Sequence, residues 1–157
     1  MSTITPEEFA QLQEKFSEIK RSINNVLAVM MALSEMSQRR PDYSEKLAST
    51  VLTKVPQIVS SLQEFTQALN EKVGAKEFAQ LQKKFSEINF SITKVLAVMM
   101  ARAEMSQPGQ KDRFWRRRRP DYSEKLASTV LAKAPQIVSS LQEFTQALND
   151  KAGAKPQ

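Results

Sequence analysis

The chain says nearly the same thing twice, and that constrains its fold more than any other feature. Phe9–Gln38 recurs as Phe78–Gln107 with 23 of 30 positions identical, and Arg39–Lys76 recurs as Arg118–Lys155 with 34 of 38 identical. Ten residues, Pro108–Arg117, interrupt the second copy and have no counterpart in the first. One copy of about 70 residues has a thin core when it stands alone, so two copies closing on one another is the economical solution. With 157 residues the pair makes one domain over 1–157, with hairpin repeats at 5–74 and 76–153 and an inserted basic loop at 108–117.

Apolar spacing tells what each copy is. Phe9, Leu12, Phe16, Ile19, Ile23, Val26, Met30 and Leu33 alternate steps of three and four. That is the seam of a left-handed helix bundle, and Leu27 and Met31 widen it. Ala48, Val51, Val55, Ile58, Leu62, Phe65 and Leu69 repeat the pattern after Arg39-Arg40-Pro41-Asp42, which reads as the break between two helices. Thr5, Pro6 and Glu8 form a capping-box start. Asp42 or Ser44 suits the next N-cap, Pro56 is an internal bend, and Gly74 is a C-terminal stop. The second copy offers Phe78, Leu81, Phe85, Ile88, Ile92, Val95 and Met99, then Ala127, Val130, Ala134, Ile137, Leu141, Phe144 and Leu148 around Pro135. The expected fold is all-α: an antiparallel up-down-up-down four-helix bundle made of two duplicated helical hairpins. Helices of roughly 30 residues would each be about 45 Å long.

Residue inventory narrows the chemistry. The chain has no Cys and no His. Disulfides, thiolate metal sites and Cys nucleophiles are excluded, and the commonest general base and metal ligand is missing. No Asp/Glu pair stands apart from the solvated helix faces, so an enzyme is not expected, nor a cofactor, a metal or a small-molecule substrate. No apolar run approaches the roughly 20 residues that span a bilayer, and no charged-then-apolar leader opens the chain. A soluble monomer is expected, with its cellular address unreadable.

Phe16-Ser-Glu-Ile-Lys-Arg-Ser-Ile-Asn-Asn-Val-Leu-Ala-Val, followed by a second long helix, resembles the dimerisation and histidine-phosphotransfer domain of sensor histidine kinases. In that family a helical hairpin dimerises into a four-helix bundle, and an exposed His ahead of an Asn-Pro-Leu motif accepts the phosphoryl group. Aligning Asn25 and Leu27 with that motif puts Arg21 where the His belongs, with Ser22 and Val26 replacing the acidic residue and the Pro. In the second copy the same place is Phe90, and Lys94 replaces the Asn. The resemblance covers residues 9–72 and 78–151. It implies a hairpin dimer joined into one chain, with phosphotransfer assigned to no residue.

The differences between the copies mark where function is expected. Glu14, Lys20, Arg21, Asn24, Asn25, Leu33 and Ser34 become Lys83, Asn89, Phe90, Thr93, Lys94, Arg102 and Ala103. With Phe9 at heptad position a, most of these lie outside the seam. Asn89, Phe90, Thr93 and Lys94 share one outward face, and Lys83 lies two turns earlier on the same side. A Phe at an f position reads as an interface anchor. Arg102 puts a charge on a seam position near a helix end, where it can snorkel to water.

The insert adds Lys111, Arg113, Phe114, Trp115, Arg116 and Arg117, carries about half of the formal charge of +6, and with Arg118 and Arg119 reads FWRRRR. Trp and Arg are favoured anchor types, and clustered Arg also suits carboxylates and phosphates. Local edits and a private insertion on near-identical copies look engineered. The expectation is a binding scaffold presenting Lys83, Asn89, Phe90, Thr93, Lys94, Arg102, Arg113, Phe114, Trp115, Arg116 and Arg117 to a protein partner. Two alternatives stand beside it: a basic loop for an anionic partner (nucleic acid or acidic membrane), and a bundle without a ligand.

Overall fold

The computed structural model describes residues 5–40, 42–71, 79–106 and 113–153, with the side chains of 113–123 and 152–153 outside the description. Four helices account for nearly all of it: α1 (Pro6–Arg39), α2 (Asp42–Asn70), α3 (Ala79–Ser106) and α4 (Arg113–Gly153). No strand occurs among the described residues. α1 and α3 each pack between α2 and α4, and α2 also touches α4 across the middle, which is the neighbour pattern of a bundle. Gly74, Phe78, Pro41 and the junction between the copies lie outside the described residues.

The start of α1 follows its sequence signal, whereas α2 is already helical at Asp42, so neither Asp42 nor Ser44 is its N-cap. Thr5 caps α1: its Oγ accepts the Glu8 backbone N–H at 3.1 Å, while its own N–H donates to Glu8 Oε1 at 3.0 Å. Two otherwise orphaned donors are thereby satisfied. The helix stops at Arg40, which is extended at φ −134°, ψ 115°, as a residue preceding Pro prefers. Pro56 lies inside α2 and Pro135 inside α4, both exposed, and both helices run through them.

The core is one continuous cluster contributed by all four helices. At its centre four Phe side chains, all but fully buried, come together in two repeat-related pairs. Phe16 lies 5.0 Å from Phe65 and 4.9 Å from Phe144 by ring centroids. Their counterparts show the same spacings, Phe85 to Phe144 at 5.0 Å and Phe85 to Phe65 at 4.9 Å. The diagonals are longer, 6.2 Å for Phe16–Phe85 and 5.7 Å for Phe65–Phe144. Tilted and edge-on contacts of this kind add about 0.5–1.5 kcal/mol per pair beyond burial.

The seam departs from a strict heptad in the same way in both copies. Leu27 and Leu96 are buried, while Val26 and Val95, the expected seam residues, are only partly buried against the core. A straight helix at 3.6 residues per turn outruns a 3.5-residue repeat, so past Ile23 and Ile92 the buried stripe steps four residues and rolls from heptad position d to e. The roll has two consequences. It draws position b inward, so that Asn24 is half-buried with its Oδ1 shut from solvent and without a hydrogen-bond partner. It turns position g outward, where Val29 and Met36 on α1 and Val98 and Met105 on α3 are exposed.

The inserted segment also departs from expectation. The loop expected over 108–117 is helical from Arg113 onward, and α4 runs unbroken through Arg118-Arg119-Pro120-Asp121. The same four residue types end α1 and start α2 in the first copy. In the second copy a helix-forming stretch precedes them, so the chain enters Pro120 already helical, and the Pro costs one backbone hydrogen bond rather than a break.

Candidate functional site

On α3 the buried residues Leu81, Phe85, Ile88, Ile92, Leu96, Met99, Ala103 and Ser106 fix the inward direction. At 100° per residue Phe90 lies almost opposite them, midway between Ile88 and Ile92. It is 70% exposed, the most exposed large apolar side chain among the described residues. Leaving a Phe in water forgoes about 1.5–3 kcal/mol of burial. One turn later Lys94 reaches back and holds its Nζ 5.9 Å from the Phe90 ring centroid. A cation over an exposed aromatic face contributes about 0.5–1 kcal/mol, too little to replace burial.

Around this pair the Thr93 hydroxyl donates to Asn89 Oδ1 at 3.4 Å, one turn apart. Lys83, Thr93 and Lys94 are exposed, and Asn89 is half-buried at the edge of the face. Lys83, Phe90, Thr93 and Lys94 thus lie exposed on the outer side of α3. Arg102 does not join them. It is half-buried, and its Nη1 donates to the Thr129 hydroxyl of α4, so this guanidinium joins α3 to α4. The physical reason is local: Leu33, its counterpart on α1, is a core residue, and the same position in α3 faces the neighbouring helix. Arg113, Phe114, Trp115, Arg116 and Arg117 have helical backbone in α4, and their side chains lie outside the described residues.

Comparing the copies misses part of the surface. Val98, at 41% exposure, and Met105 continue the stripe beyond Lys94 towards the end of α3. Both have identical counterparts, Val29 and Met36, so a search for differences is blind to them. The signal was present as apolar residues at position g, which read as seam flank until the roll is known. Ala103 also has a role that the sequence did not show. It is fully buried where the first copy has Ser34, whose buried hydroxyl must donate to the Met30 carbonyl at 2.7 Å. The Ala removes that obligation.

Among the described residues no group of three His, Cys, Asp or Glu side chains could hold a metal ion. None of the described helices is long and apolar enough to cross a membrane. A shallow depression at the end of α1 is lined by Ala32, Glu35, Met36, Gln38 and Arg39. No family model, curated protein or solved structure matches this chain.

Proposed function

We propose that the chain is a non-enzymatic binding scaffold, a single-chain form of a helical-hairpin dimer, that presents the outer face of α3 to a protein partner. The observation carrying this reading is the 70% exposure of Phe90, in a stripe with Lys94, Val98 and Met105 on a helix whose opposite face is fully committed to the core. Large aromatics that fill a partner's pocket are frequent anchors of protein interfaces. The first copy has Arg21 at this place, so the stripe gains its aromatic only on α3.

The proposed topology is antiparallel, up-down-up-down, with each repeat forming one hairpin. The near-equal ring spacings across the Phe cluster support it, as does the hydrogen bond from Gln13, near the start of α1, to Asn149, near the end of α4. Such an arrangement is what the resemblance to kinase dimerisation hairpins implies, without a phospho-accepting residue in either copy. The concentration of changes on α3 and the insert, with α4 differing little from α2, favours an engineered origin. A receptor-binding mimic of the helical cytokines is one form that such a scaffold takes, by architecture alone.

The test uses three immobilised proteins: the parent, Phe90→Asp, and a variant lacking Pro108–Arg117. A partner retained by the parent and lost by Phe90→Asp supports the reading, and Phe90→Ala should weaken it by about 2 kcal/mol, roughly 30-fold. Identical retention by the parent and Phe90→Asp overturns it.

A further inference from the structure

We infer that the protein partner of the α3 face is a second copy of this chain, bound through its own α3 in an antiparallel, two-fold contact centred on Phe90. This rests on reading that face as a binding surface, and it names what covers it. The buried residues of α3, from Leu81 to Ser106, fix the inward direction, and the direction opposite them falls between Phe90 and Lys94. Lys83, Glu87, Ala97 and Ala101 lie on the same strip, and all six residues are exposed. From Lys83 to Ala101 the strip is about 27 Å long.

The strip carries both signs of charge, although the whole chain is at +6. Glu87 and Lys94 stand on one side of Phe90 and about 10 Å apart along the axis, too far to pair with each other. At three and four residues from Lys94 on its own helix stand Phe90, Ser91, Ala97 and Val98, none of them acidic. A two-fold axis passing between Phe90 and Ser91 supplies the missing acid. It reverses the helix direction and keeps each residue on its own side of the strip. Lys94 then meets Glu87 of the second copy, and Glu87 meets its Lys94. The two Phe90 rings come together at the axis, and each Lys83 stem lies over the small Ala97 and Val98 of the other helix. Such an isologous contact uses every group twice.

The first copy shows the same face without these residues. α1 has Arg21 in place of Phe90 and Asn25 in place of Lys94, and it keeps Glu18 where α3 has Glu87. The same operation on α1 would set Arg21 against Arg21 and each Glu18 against an Asn, so α1 repels itself where α3 attracts. The Arg-to-Phe and Asn-to-Lys differences both run towards self-pairing. A purely acidic partner would be repelled by Glu87 beside the anchor. One helix face buries about 1,000 Å² in total, the low end for a specific interface, so the dimer should dissociate on the order of tens of micromolar. The monomer expected from the sequence is then one end of a weak equilibrium.

Sedimentation equilibrium of the full chain, from about 5 to about 500 µM, should show monomer and dimer in exchange. Phe90→Arg, which restores the residue of α1, should raise the dissociation constant about tenfold or more with the helical signal retained, since Phe90 lies outside the core. Lys94→Glu should weaken the dimer about tenfold. Lys94→Glu with Glu87→Lys should return it to within about threefold of the parent, because the exchanged charges meet again across the axis. A chain that stays monomeric at the highest concentration overturns the inference. So does a dimer that survives Phe90→Arg, as exchange of hairpins between two chains would give, or a double variant no tighter than Lys94→Glu. If the chain stays monomeric while a different protein is retained by the parent and lost by Phe90→Asp, this inference falls and the α3 face stands as a binding surface. If Phe90→Asp changes neither retention nor dimerisation, both fall.

Discussion

At the scale of single residues, identical side chains in the two copies carry most of the core, and few altered ones reach it. Phe16 and Phe85 occupy matching places in the ring cluster, so Phe16→Ala and Phe85→Ala should each cost about 3–5 kcal/mol, equal within about 1 kcal/mol. For a chain of this size that lowers the melting temperature by roughly 10 °C, read by circular dichroism. A large difference between the two variants would show that the cluster is not equivalently packed. Asn24 presents the reverse case. Its shielded Oδ1 lacks a partner and Asn is a poor helix former, so Asn24→Ala should raise stability by about 1 kcal/mol. A drop in midpoint denaturant concentration would mean that the carbonyl is satisfied in solution. Arg102 and Thr129 should show a coupling of about 1 kcal/mol in a double-mutant cycle built from Arg102→Ala and Thr129→Val, because the bond joins two helices. A coupling near zero would return Arg102 to the solvent-facing role that the sequence suggested for it.

At the scale of elements, the helices were legible because their signals are local and redundant. The capping box at Thr5, the extended residue before Pro41, and apolar steps of three and four each specify the same outcome from a few neighbouring residues. Two features were not legible, for different reasons. The roll from position d to e depends on how a straight helix accumulates phase over several turns, so Val26 and Leu27 cannot be ranked from their own neighbourhood. The fate of Arg-Arg-Pro-Asp depends on what precedes it: a bundle end in the first copy, a ten-residue insertion in the second. On the candidate face, Phe90 was found because it differs from Arg21, and Val98 was overlooked because it matches Val29. The insert itself should contribute nothing to the core, since the first copy connects its helices without it. Deleting Pro108–Arg117 should leave the melting temperature within about 2 °C of the parent, a shift of no more than about one kcal/mol in either direction for a chain this size. A larger loss would show that the insert packs against the bundle.

At the scale of the whole molecule, the question is whether two similar halves share one axis or merely lie side by side. Among the buried positions the copies differ where Leu33 and Ser34 become Arg102 and Ala103, near one end, and where Val55 becomes Ala134, well inside. α2 and α4 touch across the bundle, and their Phe65 and Phe144 rings lie 5.7 Å apart. A two-fold arrangement sets Val55 and Ala134 at one level across that axis, about 15 Å from the rings, one large and one small side chain sharing one space. Ala134→Val alone would then crowd the axis at a cost of about 1–3 kcal/mol, and Val55→Ala alone would open a cavity at similar cost. The exchange of both, Val55→Ala with Ala134→Val, restores one large and one small residue and should return the stability to within about 0.5 kcal/mol of the parent. Independent sites would instead add their penalties. Denaturant melts of the parent, both singles and the double variant therefore read the symmetry directly: recovery in the double variant supports a shared axis, and additive loss removes it.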